Sequence, residues 1–440
     1  MYKLSTSILQ NRLFSSNNIL KYYYSTSIPK GFKTGTYACG LKKSGASDIC
    51  VIFSEKECNA SAVFTENKVR AAPVLLSKSL LEQFNCSGFQ SMVINSGGAN
   101  ACTGEQGMKN AETMSNLSAK LLKSKQPSVV MSTGIIGQQL DMKKVEKGIE
   151  EAVKSLGNDW TLAAKAIMTT DKVHKLYQKS VKLSDGKEVN ISGICKGAGM
   201  IHPNMATMLC IICTDADVAK EPLKQALKHS VHYSFNSINV DGDMSTNDTV
   251  CVYANGMAGN KQISSTSSED FNRFQSALRE TAEELSKMIV RDAEGATKFV
   301  SVVVRGANSE SDAKVICNSI ATSSLVKTAM YGEDGNWGRV LAAVGYSGIH
   351  VVPNKISMWF SKGNGQNIGI GQKNDQDTCI QLLKDGQPIP LSSGDDKSAK
   401  LLSNKDIGII VDLGLGQSTH TMWTCDLTVG YVEANSHYRT

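Results

Sequence analysis

The first thing the 440-residue chain lacks is a long apolar run. Nothing approaches the ~18 residues of a membrane-spanning helix, so the sequence argues for no membrane partner. Net charge is also scarce. The formal value is +6, and losing Lys3, Arg12 and Lys21 with the N-terminal segment would leave +3, so there is no basic surface for nucleic acid. The twelve cysteines are scattered and several lie in apolar runs, which excludes a disulfide scaffold and suits a reducing compartment. One Cys-x-x-Cys, Cys210 to Cys213, falls in a strand-like run, where positions i and i+3 face opposite sides, so it is expected to bind no metal. Asn239-Val-Asp-Gly-Asp-Met-Ser-Thr-Asn-Asp-Thr249 resembles a calcium loop but lacks the final glutamate. There is no His-Glu-x-x-His, no Gly-x-Ser-x-Gly, no dinucleotide fingerprint and no fixed-period repeat. No cofactor and no metal are expected.

Acids are missing too, from the whole N-terminus: the first is Asp48. Residues 1–30 are basic and hydroxyl-rich with scattered Leu, Ile and Phe, which predicts a mitochondrial transit peptide and import into the matrix.

What remains is an ordinary globular composition, 41% apolar and 20% charged, long enough for two domains or one large layered one. Strand-like and helix-like segments alternate from Gly31 on. Strands are predicted at 49–53, 60–65, 91–94, 128–132, 249–253, 299–304 and 407–411 from β-branched, apolar density. A Thr103–Gln106 capping box is expected to open a helix to about Lys123, Asp141 to cap the next, and Ser267-x-x-Asp270 to open a long one. Residues 220–233 read as a further helix, and Lys362 to Asp377 as a surface loop. This pattern predicts an α/β fold of sheets flanked by helices.

The chain is organised around Lys196-Gly-Ala-Gly-Met-Ile-His-Pro-Asn-Met-Ala-Thr207-Met-Leu-Cys-Ile-Ile-Cys213. A Gly-rich, Pro-punctuated loop runs into an apolar strand suited to burial on both faces, which puts Thr207 at a loop-to-strand junction. Such a junction can hold a hydroxyl against the Ala206 carbonyl, the arrangement an N→O acyl shift needs. Cleavage there would give Thr207 a free α-amine able to deprotonate its own hydroxyl.

That stretch resembles the self-cleaving centre of the ornithine acetyltransferase (ArgJ-like) family of arginine biosynthesis, and further motifs extend the resemblance over residues 31–440. It implies an α/β four-layer αββα sandwich with a smaller C-terminal α/β part. It also implies a chain 31–206 and a chain 207–440 after cleavage between Ala206 and Thr207, assembled as α2β2. Site residues follow by motif. Thr207 is the nucleophile, and Thr133 and Gly134, in Met-Ser-Thr-Gly-Ile-Ile-Gly, are the oxyanion pair. The resemblance likewise implies that Thr169, Lys196, Thr207, Glu294, Asn435 and Thr440 contact substrate. Asp334-Gly335-Asn336 stands where the family commonly shows Asp-Pro-Asn, and Met244 where Thr is common; both departures touch loops only.

The activity so implied is ping-pong acetyl transfer from N2-acetylornithine to glutamate, small amino-acid substrates with no cofactor. Acetyl-CoA is a second donor that the motifs leave open, because monofunctional and bifunctional enzymes share them. A related self-processing aminopeptidase or amidase would use the same threonine logic with water as acceptor, and a non-catalytic α/β binding protein would leave the chain uncut.

Overall fold

In the structure, a computed structural model, residues 28–202, 208–365, 378–390 and 397–436 are described. The first strand, β1 (Phe32–Tyr37), pairs antiparallel with the opening half of β2 (Ile49–Phe64). The two strands expected at 49–53 and 60–65 are therefore one sixteen-residue strand. Its ladder loses register between Phe53 and Cys58, where Glu55, Lys56 and Glu57 are exposed and face no core. The first half of β2 pairs with β3 (Ser87–Asn95), which pairs in parallel with β4 (Val129–Ser132). The second half pairs with β8 (Thr249–Ala254), and the sheet continues through β7 (Leu209–Thr214) and β6 (Glu188–Lys196) to β5 (Lys175–Lys182).

Side-chain alternation assigns the layers. Ile49, Val51, Val93 and Val130 pack under α2 (Gly104–Leu122) and α3 (Met142–Lys154), as Met114, Val145 and Ile149 share their cluster. Their neighbours Cys50, Ile52, Met92, Ile94 and Met131 turn the other way, into one core with Ile194, Leu209, Ile211, Cys213, Cys251 and Tyr253 from the far half of the sheet. Across this inner layer the Phe89 and Tyr253 rings meet edge-on at 6.4 Å, and the Tyr253 hydroxyl donates to the Ser91 carbonyl at 3.3 Å. Cys195, Cys210, Ile212, Val250 and Val252 then point outward against α5 (Lys220–His232) and α6 (Glu269–Arg291). Helices, half-sheet, half-sheet, helices: this is the four-layer αββα sandwich. The helices α1 (Ala72–Gln83) and α4 (Trp160–Ala166) feed Leu80, Leu81 and Trp160 into the inner layer. Cys210 and Cys213 lie in different clusters, as their spacing predicts.

The C-terminal part is a second sheet of β9 (Phe299–Ala307), β10 (Ser357–Lys362), β11 (Cys379–Lys384), β12 (Gln387–Pro388), β13 (Asp406–Asp412) and β14 (Ser418–Cys425). Its core holds residues of α7 (Glu310–Thr322), α8 (Ser324–Tyr331), α9 (Trp337–Gly345) and α10 (Lys397–Leu402). Phe299, Trp423 and Cys425 belong to the α5–α6 core, so the two parts share apolar packing. A last helix, α11 (Val429–Ser436), follows β14. No helix among the described residues is long and apolar enough to cross a membrane.

Two helix starts differ from expectation. The Thr103–Gln106 capping box does not form: the Thr103 hydroxyl donates to Asn100 Oδ1 at 2.8 Å and Gln106 donates to Asn110, so a nearby amide has captured the cap. The cap of α6 is Ser268, not Ser267, accepting from Phe271 N at 3.1 Å. Asp141 caps α3 as predicted. The strand expected from Thr207 begins at Leu209, and the expected loop at 362–377 lies outside the described residues from 366 on.

Candidate active site

Strand ends converge at one place. The C-terminal ends of β3, β4 and β6 meet the N-terminal ends of β7 and β8, and Asn247 ties them together by donating to the Ala99 carbonyl at 2.6 Å and the Ser132 carbonyl at 2.8 Å. Thr133 and Gly134 follow β4 directly. The Thr133 N–H donates to Asn95 O at 3.0 Å, and Thr133 bridges to Gly98. Gly134 has φ +129°, and a Cβ there would come within 2.6 Å of Gly98 N. Only glycine brings the backbone this close to the Gly97–Gly98 turn.

Lys196 ends β6 with 2% of its surface exposed, its ammonium 3.4 Å from the Thr133 hydroxyl. Burial is the largest cause and, with the nearby Lys175 ammonium, outweighs the Asp171, Asp248 and Glu294 carboxyls and pulls it below the usual lysine range.

A cleft of about 430 Å³ is lined by Thr133, Gly134, Thr169, Thr170, Lys196, Glu294 and Asn435, together with Gly199, Met200, Asp241, Asp243, Met244 and Tyr431. Residues that the sequence spreads over three hundred positions thus face one space. Glu294 lies just beyond α6, its N–H donating to Ala198 O at 3.0 Å. Its carboxylate sits so close to the glycine loop that a Cβ on Gly199 would meet Oε2 at 2.5 Å. Asn435, on α11, donates to the same Oε2 at 2.9 Å, which brings the tail to the cleft. Tyr431, on the same helix, donates to Asp241 Oδ2 at 3.3 Å, while Asp241 accepts from the Met200 and Ile201 N–H groups. Ala206, Thr207 and Thr440 lie outside the described residues.

Beneath the cleft is a clasp that sequence reading missed. Lys175 donates to Asp171 Oδ1 and Asp292 Oδ2, both at 2.6 Å. Asp171 also accepts from Gly197 N at 2.7 Å and Thr169 N at 2.9 Å. Burial alone would push the Asp171 carboxyl up, but the Lys196 and Lys175 ammoniums and the Gly197 N–H outweigh it and hold it at about 2. The clasp fixes the backbone on which both Thr169 and Lys196 stand. Asp171 was visible in sequence only as the last residue of a Thr-Thr-Asp segment.

Asp248 was missed as well. It is wholly buried, and its Oδ1 accepts from Met208 N at 2.8 Å, the residue after Thr207. Its Oδ2 has no hydrogen-bond partner among the described residues. Burial pushes its carboxyl up to about 8, so it is chiefly a neutral acid at pH 7.

A hydroxyl and a glycine N–H at a strand end, a buried ammonium and a carboxylate thus line one cleft, groups of the kinds that can stabilise an acyl-transfer oxyanion and meet the charges of a small zwitterion. The ArgJ family model matches residues 33–440, and the chain belongs to that family. It is 69% identical over 443 residues to the mitochondrial arginine biosynthesis bifunctional protein ArgJ of Dictyostelium discoideum, covering 99% of this chain and 100% of that one. With the ArgJ protein of Thermotoga neapolitana it shares 46% identity over 414 residues, covering 94% of this chain and 100% of the relative. Among solved structures, the Bacillus halodurans ArgJ protein is 38% identical with a TM-score of 0.45, covering 51% of this chain and 96% of that chain.

Proposed function

We propose that this chain is a self-cleaving threonine acetyltransferase that moves acetyl from N2-acetyl-L-ornithine to L-glutamate in arginine biosynthesis, in the mitochondrial matrix. One observation carries the reading: Thr133, Gly134, Thr169, Lys196, Glu294 and Asn435 line a single cleft at the strand ends that flank the Ala206–Thr207 junction. The acid-free N-terminus and the mitochondrial names of close relatives support the location.

In the forward half-reaction the Thr207 hydroxyl attacks the acetyl carbonyl carbon while its own α-amine takes the hydroxyl proton. The Thr133 hydroxyl and Gly134 N–H stabilise the oxyanion. The acetyl C–N bond breaks, the proton passes to the departing ornithine amine, and acetyl remains as an ester on Thr207. Glutamate's amine then attacks the ester carbonyl, and the threonine hydroxyl is restored. Acetyl moves between two similar amines, so the chemistry calls for no cofactor. Acetyl-CoA would load the same threonine if it enters the cleft. Lys196 suits the substrate carboxylate and Glu294 its ammonium, with Asn435 holding the Glu294 carboxylate in place.

Self-cleavage between Ala206 and Thr207 gives the free α-amine. In that step the hydroxyl attacks the Ala206 carbonyl, the peptide C–N bond breaks as the Thr207 nitrogen takes a proton, and water then hydrolyses the resulting ester, leaving a carboxylate on Ala206 and restoring the Thr207 hydroxyl. Asp248 is suited to supply the proton that the Thr207 nitrogen takes. Consecutive backbone nitrogens are only about 3–4 Å apart, and Asp248 grips the Met208 nitrogen with one oxygen, while burial outweighs Met208 N–H, Lys196 and Thr65 and keeps its carboxyl protonated near neutrality. The products, 31–206 and 207–440, share the inner core and an unbroken ladder from β2 to β8, so they are expected to stay together and to pair as α2β2.

Intact mass tests the reading. The wild type should give two fragments, the second beginning at Thr207, and Thr207→Ala should give one chain with no transfer. Normal transfer by Thr207→Ala, or cleavage elsewhere, would overturn it. Release of free acetate in place of acetylglutamate would convert the reading to an amidase.

A further inference from the structure

Away from the cleft, three ligand-type side chains meet where the sandwich touches the second sheet: His232 at the end of α5, Glu310 at the start of α7 and His420 in β14. His232 Nε2 lies 3.0 Å, and His420 Nδ1 3.3 Å, from the same carboxylate oxygen, Glu310 Oε1. Ligands held by zinc at about 2.0–2.1 Å in a tetrahedron stand about 3.3 Å from one another, so these separations suit a shared cation.

His420 is held as a ligand would be: it is only 3% exposed, and its Nε2 lies 3.0 Å from the Ser237 hydroxyl, which leaves Nδ1 turned towards Glu310 and His232.

The outer contacts are those of ligands held in place. Tyr233 donates to the other Glu310 oxygen at 2.9 Å, and the Ser237 hydroxyl holds the far nitrogen of the His420 ring at 3.0 Å. The His232 and Glu310 side chains are 43% and 39% exposed, which leaves an entry path and room for water.

We propose that His232, Glu310 and His420 bind one divalent cation of the zinc class, with water completing the shell, and that the cation clamps the end of α5 to β14 and α7. The sequence reading expected no metal. It could not have found this one, because the three residues come from separate elements with no ligand spacing among them.

The test uses purified full-length protein stripped by chelator and refilled with Zn²⁺ or Co²⁺. The expected result is one metal per chain by elemental analysis, tetrahedral Co²⁺ bands in the visible, and a zinc-dependent rise in Tm of at least a few degrees, about what binding well above Kd provides. His420→Ala, His232→Gln and Glu310→Gln should lose all three, and the two exposed-side variants should keep acetyl transfer within about twofold, which shows that they fold. Intense near-ultraviolet thiolate bands would assign the metal to cysteines and overturn the proposal. So would equal binding by wild type and folded variants, or no metal retained above buffer.

Discussion

Lys175 at the start of β5 and Lys196 at the end of β6 lie on paired strands and are equally hidden, at 1% and 2% exposure, yet their charges are in opposite situations. Lys175 is held between two carboxylates, and although burial works against its charge, Asp171 and Asp292 prevail and raise it above the usual lysine range. Lys196 has a threonine hydroxyl at 3.4 Å, and burial lowers it. Burial alone therefore does not mark function. A buried charge paired in contact holds structure, whereas Lys196 feels Asp171, Asp248 and Glu294 but makes no ion pair among the described residues and so is available to a ligand. The two are coupled, because the carboxylate that neutralises Lys175 also holds the Gly197 N–H next to Lys196.

The largest effect should come from breaking the clasp. Asp171→Asn leaves Lys175 buried with half its compensation and should cost on the order of 3–5 kcal/mol in chemical denaturation. A cost below about 1 kcal/mol would mean that the clasp is not structural. The sign of its pH dependence follows from the depressed carboxyl. Its contribution is present above the ordinary 3.8 and lost as pH falls through about 2, so acid unfolding of the wild type should begin below pH 4 and be displaced in the variant.

Lys196→Met should do the reverse: stability unchanged or raised, transfer reduced. Removing a buried ammonium that makes no ion pair among the described residues relieves a desolvation cost that outweighs its longer-range attraction to Asp171, while kcat/KM for acetylornithine should fall on the order of 10²–10³-fold. A variant as unstable as Asp171→Asn would erase the distinction between the two lysines. Thr133→Ala, which removes the neighbour of Lys196, should lower kcat about 10²-fold with little change in KM.

Asp248 sharpens the comparison from the acid side, being a buried carboxyl without a cation bound to it. Asp248→Asn should slow self-cleavage about 10²-fold, the usual worth of a positioned acid. Because the acid must be protonated to act, wild-type cleavage should also decline as pH rises past about 8. Stability has the same sign. A carboxyl raised from 3.8 to about 8 contributes fully below pH 4 and loses its contribution as pH rises through 8. In the uncut Thr207→Ala protein, Tm should therefore drop between pH 6 and 9, and adding Asp248→Asn should flatten that drop. A flat profile in Thr207→Ala itself would place Asp248 among the ordinary ionised acids.

What could be read from the sequence, and what could not, follows the same division. The buried run at 209–214 announces itself by apolar density, and Thr133, Gly134, Thr169, Lys196, Glu294 and Asn435, which motifs single out in the sequence, line one cleft. The β5–β6 hairpin does not announce itself, because Lys175-Leu-Tyr-Gln-Lys-Ser-Val-Lys182 is an edge strand of mostly half-buried residues and has no apolar density to read. β2 was split in two because Glu55-Lys-Glu57 interrupts its pattern without ending the strand. Asp171, Asp292 and Asp248 resemble turn acids locally. Their roles exist only once the sheet folds over and buries them, and the pairing of Lys175 with Asp292, 117 positions away, leaves no local trace.

The smallest effect is expected at the tail, where the cleft is exposed. Asn435 is exposed, yet its amide reaches Glu294 Oε2 at 2.9 Å, so it positions a carboxylate that is itself directed at the substrate's amine. A hydrogen bond to a charged group contributes about 1.5 kcal/mol at the low end of its range, so Asn435→Ala should raise KM for acetylornithine and glutamate about tenfold while kcat falls little. Glu294→Gln removes the charge itself and should exceed that effect. The double variant should be no worse than Glu294→Gln alone if Asn435 acts through the carboxylate, and additive losses would mean that Asn435 meets the substrate directly. Cleavage at Thr207 should proceed normally in Asn435→Ala, because the residues assigned to that step lie at the strand ends and none is on α11.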